Sequence, residues 1–310
     1  WNPISLFIRK VHISSATASL VTIYRKPEIE KSKRKLSISM EIDKIITPIE
    51  TKPEFSVKPG LWGSALSLEI KRNQDIKVDG ALLNAQRNGD SALFHIVLRE
   101  KHPFEVDIDA HEANGGSLSG MLGLNANLPL IIKAKIYASV KKGNVDIYGQ
   151  NGNAQFAKFA GAWNEDGGKI DGNANLRASK YTHFIANAFG DNTKLNANWS
   201  KKPNQLLGGN SNQQNLNIEM VGNQSLARLN GVVDFEARKT NGPIKTTIKI
   251  GNLGALIGAK NINLGNFGFD GFITGAQKDI NLVGNYAINN IGIDKVSYNR
   301  LDGDLKFKFA

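Results

Sequence analysis

The chain of 310 residues contains no cysteine. That excludes disulfides, thiolate metal sites and cysteine nucleophiles, and it leaves the compartment open, since a periplasmic protein can do without disulfides. No stretch approaches the roughly 18 consecutive apolar residues of a membrane-spanning helix. Aromatic residues are few, with six Tyr and four Trp thinly scattered, so the aromatic girdles of a transmembrane barrel are not recognisable. Acidic residues number 28 against 39 basic ones, a formal charge of +11 that favours acidic partners such as anionic lipid headgroups or nucleic acid. The Lys and Arg residues are dispersed rather than interleaved with aromatics on one patch, which argues against nucleic acid. Their one dense run, "KSKRK" at 31–35, follows Pro27, and residues 26–35 read as a solvated charged linker. The first residue is Trp1, with no signal peptide. The sequence is therefore expected to be a piece of a longer protein, with its targeting segment and inner-membrane anchor upstream.

What is present is alternation. In "LSISMEI", Leu36, Ile38, Met40 and Ile42 face one way and Ser37, Ser39 and Glu41 the other. The period of two recurs at Leu66, Leu68 and Ile70; at Phe94, Ile96 and Leu98; and at Phe104, Val106, Ile108 and Ala110. It runs longest in "LIIKAKIYASV", with Ile132, Ala134, Ile136, Ala138 and Val140 opposite Lys133 and Lys135. One dry and one wet face characterise antiparallel sheet, because parallel strands covered on both sides read as continuous apolar runs. About two dozen strands fit this length. Open sheets seldom exceed about ten without curling, splitting or closing, so the sheet is expected to be bent.

Two further patterns punctuate the strands. "VDGALLNA", "IDGNANLRA", "LNGVVDFEA", "FDGFITG" and "LDGDLKFKF" share an apolar residue, Asp or Asn, and then glycines 80, 172, 231, 271 and 303. Asp-Gly and Asn-Gly supply positive φ, so these predict strand reversals. Their uneven spacing excludes a solenoid of fixed period. Short helical turns are expected near 3–8, 116–123, 180–189 and 252–258. In the second, Leu118, Met121 and Leu122 form an i, i+3, i+4 face before Gly123. The third carries Tyr181, Phe184, Ile185 and Ala188 before Gly190. They read as joints that cover the end of a sheet section.

No chemistry is evident. Asp107, Asp109 and His111 share a strand face in a pattern a metal could use, but the same trio is the wet side of an amphipathic strand. "HEANG" is not H-E-x-x-H, no G-x-S-x-G elbow occurs, and "NEDGGKI" lacks the residues of a phosphate loop. No nucleophile stands with a base, so the expectation is a non-enzymatic protein without metal or cofactor.

Several segments together resemble a family. "WNPISLFIRKVHISSATASLVTIYRKP", "EVDIDAHEANGGSLSGMLGLNANLPLIIKA", "GAWNEDGGKIDGNANL" and "ASKYTHFIANAFGDNTKLNANW" are similar in order and pattern to the TamB family over roughly residues 1–200. That family comprises the inner-membrane subunits of the translocation and assembly module, relatives of AsmA-like, bridge-type lipid transfer proteins. Asn-rich turns stand where the family often has Asp or Pro, and the linker after Pro27 is shorter. The resemblance implies an elongated, bent, antiparallel-rich sheet forming an open apolar groove (a β-taco), here one long groove over 1–310 with short helical joints. It also implies a periplasmic conduit for phospholipid between inner and outer membranes that supports outer-membrane protein assembly. The implied partners are phospholipid acyl chains and a BamA/TamA-like outer-membrane barrel reached through a missing C-terminal part. No nucleic acid is expected. The groove-lining residues would be Ile38, Met40, Ile42, Leu66, Leu68, Ile70, Phe94, Ile96, Leu98, Phe104, Val106, Ile108, Ile132, Ile136, Val140, Leu176, Phe235, Leu305 and Phe307. The alternatives are a transmembrane β-barrel, whose alternation reads the same, and a β-rich surface adhesin.

Overall fold

The computed structural model describes residues 9–24, 38–73, 75–99, 103–201, 213–257, 262–276, 279–293 and 295–309. Strands make up 67% of the described residues and helix 5%, so the chain is all-β, with a mixed but mostly antiparallel sheet. The charged linker at 26–35 and the helical turn near 3–8 lie outside the described residues. The chain divides into two units, Trp1–Ser139 with Asn144–Phe156, and Val140–Gly143 with Ala157–Ala310.

In the first unit, β1 (Lys10–Ile13), β2 (Ala16–Thr17) and β3 (Val21–Ile23) each run parallel to β4 (Ser39–Thr51). An antiparallel meander follows through β5 (Gly60–Ile70), β6 (Ile76–Asn84), β7 (Ser91–Leu98), β8 (Phe104–Glu112) and β9 (Leu130–Ala138). β10 (Gly143–Asn151) pairs with β9. Helix α1 (Ser117–Met121) interrupts the meander between β8 and β9.

The second unit is again built of consecutive strands interrupted by short helices, without the parallel opening. β11 (Ala154–Asn164) leads to β12 (Gly167–Asn175), helix α2 (His183–Phe189), β13 (Asn192–Lys201), β14 (Gln213–Gly222) and β15 (Leu226–Asp234). β16 (Lys239–Thr240), β17 (Ile244–Ile250), the single turn α3 (Gly254–Ile257), β18 (Ile262–Leu264), β19 (Phe267–Ala276), β20 (Asp279–Ile293) and β21 (Val296–Phe309) complete it. Among the described residues, the strands from β11 to β21 pair antiparallel.

The Asp-Gly motifs are not turns. Gly80, Gly172, Gly231, Gly271 and Gly303 all lie inside strands, and none has positive φ. Gly80 stands opposite Phe94, Gly172 opposite Phe159, and Gly303 opposite Tyr286. A Cβ on Gly80 would lie 2.6 Å from Leu66 Cδ2 and closer still to the Phe94 ring. The glycine therefore makes room for a neighbouring ring to lie down on the sheet, a recognised use of strand glycine. The Asp that precedes it projects from the opposite face, where Asp79 meets Lys77 at 3.3 Å and Asp171 meets Lys169 at 2.7 Å. The real reversals use other residues, among them Gly89 (φ 96) and Gly152 (φ 61).

These two classes of strand glycine should respond oppositely to substitution. Gly172→Val, under the Phe159 ring, is expected to cost about 1–3 kcal/mol by overpacking. Gly268 is also inside a strand, but a Cβ there would meet nothing within 4 Å and its φ is not positive. Gly268→Ala should therefore gain about 0.4–1 kcal/mol. Urea denaturation of both variants checks this, and equal effects would contradict the packing role of Gly172.

Candidate functional site

The apolar residues of the first unit meet across the strands in rows. Ile42, Leu68, Val78, Ile96, Val106 and Ile136 stand opposite one another in succession from β4 to β9. A second row runs through Ile45, Leu66, Gly80, Phe94, Ile108 and Ala134, and a third joins Met40, Ile70, Ile76 and Leu98. No charged side chain stands in these rows. The first row is half-buried throughout and Leu98 is exposed, so neighbours shield one another and part of the surface stays open. In the second unit Leu195, Met220, Ala227, Ile248, Phe269 and Tyr286 form a comparable row. At one end of that face Trp163, Trp199 and Phe235 pack edge on, with ring centroids 6.1 and 5.9 Å apart.

Most of the expected lining residues therefore share faces, Leu305 and Phe307 included, on β21 opposite Gly284 and Leu282. Four stand outside the strands. Ile38 precedes β4, Leu176 follows β12, Phe235 follows β15, and Val140 lies beyond β9, which ends at Ala138. The alternation read through Val140 thus stops one pair early. Phe104 is exposed on β8 opposite Ala138, and Ile132 stands opposite Ala110.

One end of the first unit's apolar face is closed by α1, and here the burial is deepest. Trp62, Leu130 and Glu112 are almost fully buried, with Ser117 and Ser119. Gly116 at the N-cap offers no side-chain cap. Glu112, from the end of β8, supplies it: its carboxylate accepts from Leu118 N at 2.8 Å, Ser119 N at 2.9 Å and Ser119 Oγ at 2.7 Å. A buried carboxylate is tolerated only when so satisfied, and here it meets the helix donors that have no partner within the helix. Trp62 Nε1 donates to Ser117 Oγ at 2.7 Å, and Arg87 Nη1 donates to the Gly115 carbonyl at 2.7 Å. Gly115 has φ 67, and any Cβ there would strike the Ala126 backbone. The spacing predicts Leu118, Met121 and Leu122 as the buried face of this helix. The structure instead buries Ser117, Ser119 and Gly120, leaving those three half-buried. Small residues are needed because Gly120 approaches Ser56 and Val57 closely. In α2, likewise, Ala186 and Ala188 are buried while Phe184, and Tyr181 just before the helix, are exposed.

On the wet face, Asp107 meets Lys135 at 3.7 Å and Asp109 meets Lys133 at 3.9 Å, while His111 Nδ1 lies 2.9 Å from the Gly89 carbonyl. Each of the trio is thus turned to a different neighbour. His95 contacts Asp79 and lies 3.8 Å from Glu105. Burial alone raises the Asp79 carboxyl, but hydrogen bonds from His95 and Lys77 outweigh it and hold the group below the usual carboxylate range. One grouping was invisible to local sequence reading. His12, Glu41 and Asp43 bring ligand atoms within 4.8 Å, through the parallel register His12 to Glu41. His12 Nε2 lies 2.8 Å from Asp43, and Glu41 is already paired with Lys10, so a cation would have to displace that ammonium. Comparison with protein-family models, curated proteins and solved structures gives no match for this chain.

Glu112→Ala should cost about 3 kcal/mol, since it strips buried donors of their acceptor, and Glu112→Gln should cost less because an amide oxygen still accepts. Chemical denaturation distinguishes them. For Asp79, a lowered folded pKa means stability that is present above the ordinary carboxylate value and lost as pH falls through the folded one. The stability gap between the parent and Asp79→Asn should therefore be under about 1 kcal/mol at pH 6, as the pair is half-exposed, and should be lost at strongly acid pH. Urea midpoints at both pH values check the sign.

Proposed function

We propose that this chain carries lipid acyl chains along its apolar face, as part of a TamB-like, bridge-type lipid conduit in the periplasm. The observation that carries the reading is the unbroken apolar row from Ile42 to Ile136, six strands wide and half-buried rather than sealed. A contiguous apolar patch of that kind calls for an apolar occupant. Each acyl methylene kept from water is worth about 0.8 kcal/mol, so a tail leaves a bilayer readily only for another apolar surface. A face lined by Ile, Leu, Val and Phe without charges offers one at little net cost, and it needs continuity rather than a tight pocket. A passive surface of this sort gives no direction to transport.

The family resemblance of the quoted segments supports phospholipid as the cargo, a periplasmic location with an inner-membrane anchor, and a barrel-type outer-membrane partner. The closed end at α1 supports a joint rather than an active site. A transmembrane barrel would need its apolar side against lipid along every strand. Helices inserted between strands with deeply buried polar groups, such as Glu112, fit that poorly.

Ile136→Asp should abolish photo-crosslinking of a phospholipid probe to neighbouring row positions, because an unpaired carboxylate would hydrate the row. Lys135→Gln, one residue away and on the other face, should leave crosslinking unchanged. Equal loss in both folded variants would overturn the assignment of faces, and no crosslinking to the parent protein would overturn the conduit.

A further inference from the structure

The wet face of the second unit carries a feature that the conduit does not use. A cavity of about 580 Å³ opens over β11–β14, lined by Lys158, Asn173, Lys194, Asp171, Glu219 and Val221 among others. Register places Lys158 opposite Asn173, Asn173 opposite Lys194, and Lys194 opposite Val221. The next row is Ala160, Asp171, Asn196 and Glu219. Both carboxylates are already neutralised, Asp171 by Lys169 at 2.7 Å and Glu219 by Arg228 at 2.6 Å. Asp171 Oδ1 also accepts from Asn196 Nδ2. Neither Lys158 nor Lys194 has a carboxylate partner among the described residues.

We propose that Lys158 and Lys194 form a binding site for a phosphoryl anion, closing over Asn173 from the two neighbouring strands. Two strand spacings put their backbones about 9.6 Å apart, within reach of two lysine arms that converge on one anion. The ammonium groups supply charge and Asn173 supplies a neutral polar floor between them. The local acids cannot repel the ligand strongly, since each is held by its own cation. Both lysines are exposed, so binding should weaken as salt is raised. The ligand class is phosphate, either as a phospholipid headgroup presented at a membrane surface or as a free phosphate compound. The site lies on the face opposite the apolar row of the same strands and so stands independently of the lipid-conduit reading.

The test uses the full chain with two probes, inorganic phosphate by calorimetry and vesicles of phosphatidylglycerol or phosphatidylcholine by co-flotation. Saturable binding of inorganic phosphate, or binding to phosphatidylglycerol vesicles and not phosphatidylcholine ones, is expected. The double variant Lys158→Gln/Lys194→Gln should weaken it about tenfold or more. Lys245→Gln/Lys249→Gln removes the same charge from β17, outside the cavity, and should leave it within about twofold. Inorganic phosphate binding identifies a free ligand as sufficient, and vesicle binding alone identifies a headgroup. Absence of both in the parent, or equal losses in the two double variants, overturns the site. Ile136→Asp, which breaks the apolar row of the other unit, should leave phosphate binding intact, so failure of the conduit and failure of this site are separable.

Discussion

Everything in the first unit depends on cross-strand register. Side chains alternate with a period of two, so a slip of one residue in any strand would move its apolar set to the wet face. The row from Ile42 to Ile136 survives across six strands because each pairing holds its phase. β4 shows the constraint at work. Met40 and Ile42 occupy even positions, whereas Ile45 and Ile49 occupy odd ones, and a register shift between Ile42 and Ile45 absorbs the change of phase. Three steps along β4 answer two along β5, from Leu68 to Leu66. The bulge keeps the dry face continuous and bends the strand where it occurs.

The repeated glycines serve the same end by other means. On a sheet face that is only half-buried, large side chains gain by covering one another. Phe159 and Phe94 do so by lying across glycines on the adjacent strand. The aspartates before those glycines sit on the opposite face and hold Lys and His there, which keeps that face wet and discourages its pairing with another sheet. One dipeptide thus provides a flat seat on one side and a charge on the other.

The helical interruption follows from what a sheet end requires. Where the apolar rows stop, their last members would meet water, and α1 covers them. A turn of helix brings unsatisfied amide donors into that dry place, and Glu112 is the acceptor that makes the arrangement tolerable. Trp62 is oriented by the same helix through Ser117. The joint is polar at its centre, with its buried polar groups hydrogen-bonded.

Local sequence determined most of the strands, their two faces and the helical turns within 116–123, 180–189 and 252–258, because alternation and the 3.6-residue period are properties of neighbouring residues. It also put Ile132 and Ile136 on one face and Lys133 and Lys135 on the other. Tertiary structure alone decided four things. The mid-strand role of Asp-Gly depends on which aromatic lies across the next strand. The buried face of α1 depends on how closely Gly120 can approach Ser56. The meeting of His12 with Glu41 needs a parallel pairing that no local pattern announces. The two lysines beside Asn173 come from strands separated by a helix. In each case the deciding contact joins residues distant in sequence, and their proximity is a product of register, which only the assembled sheet specifies.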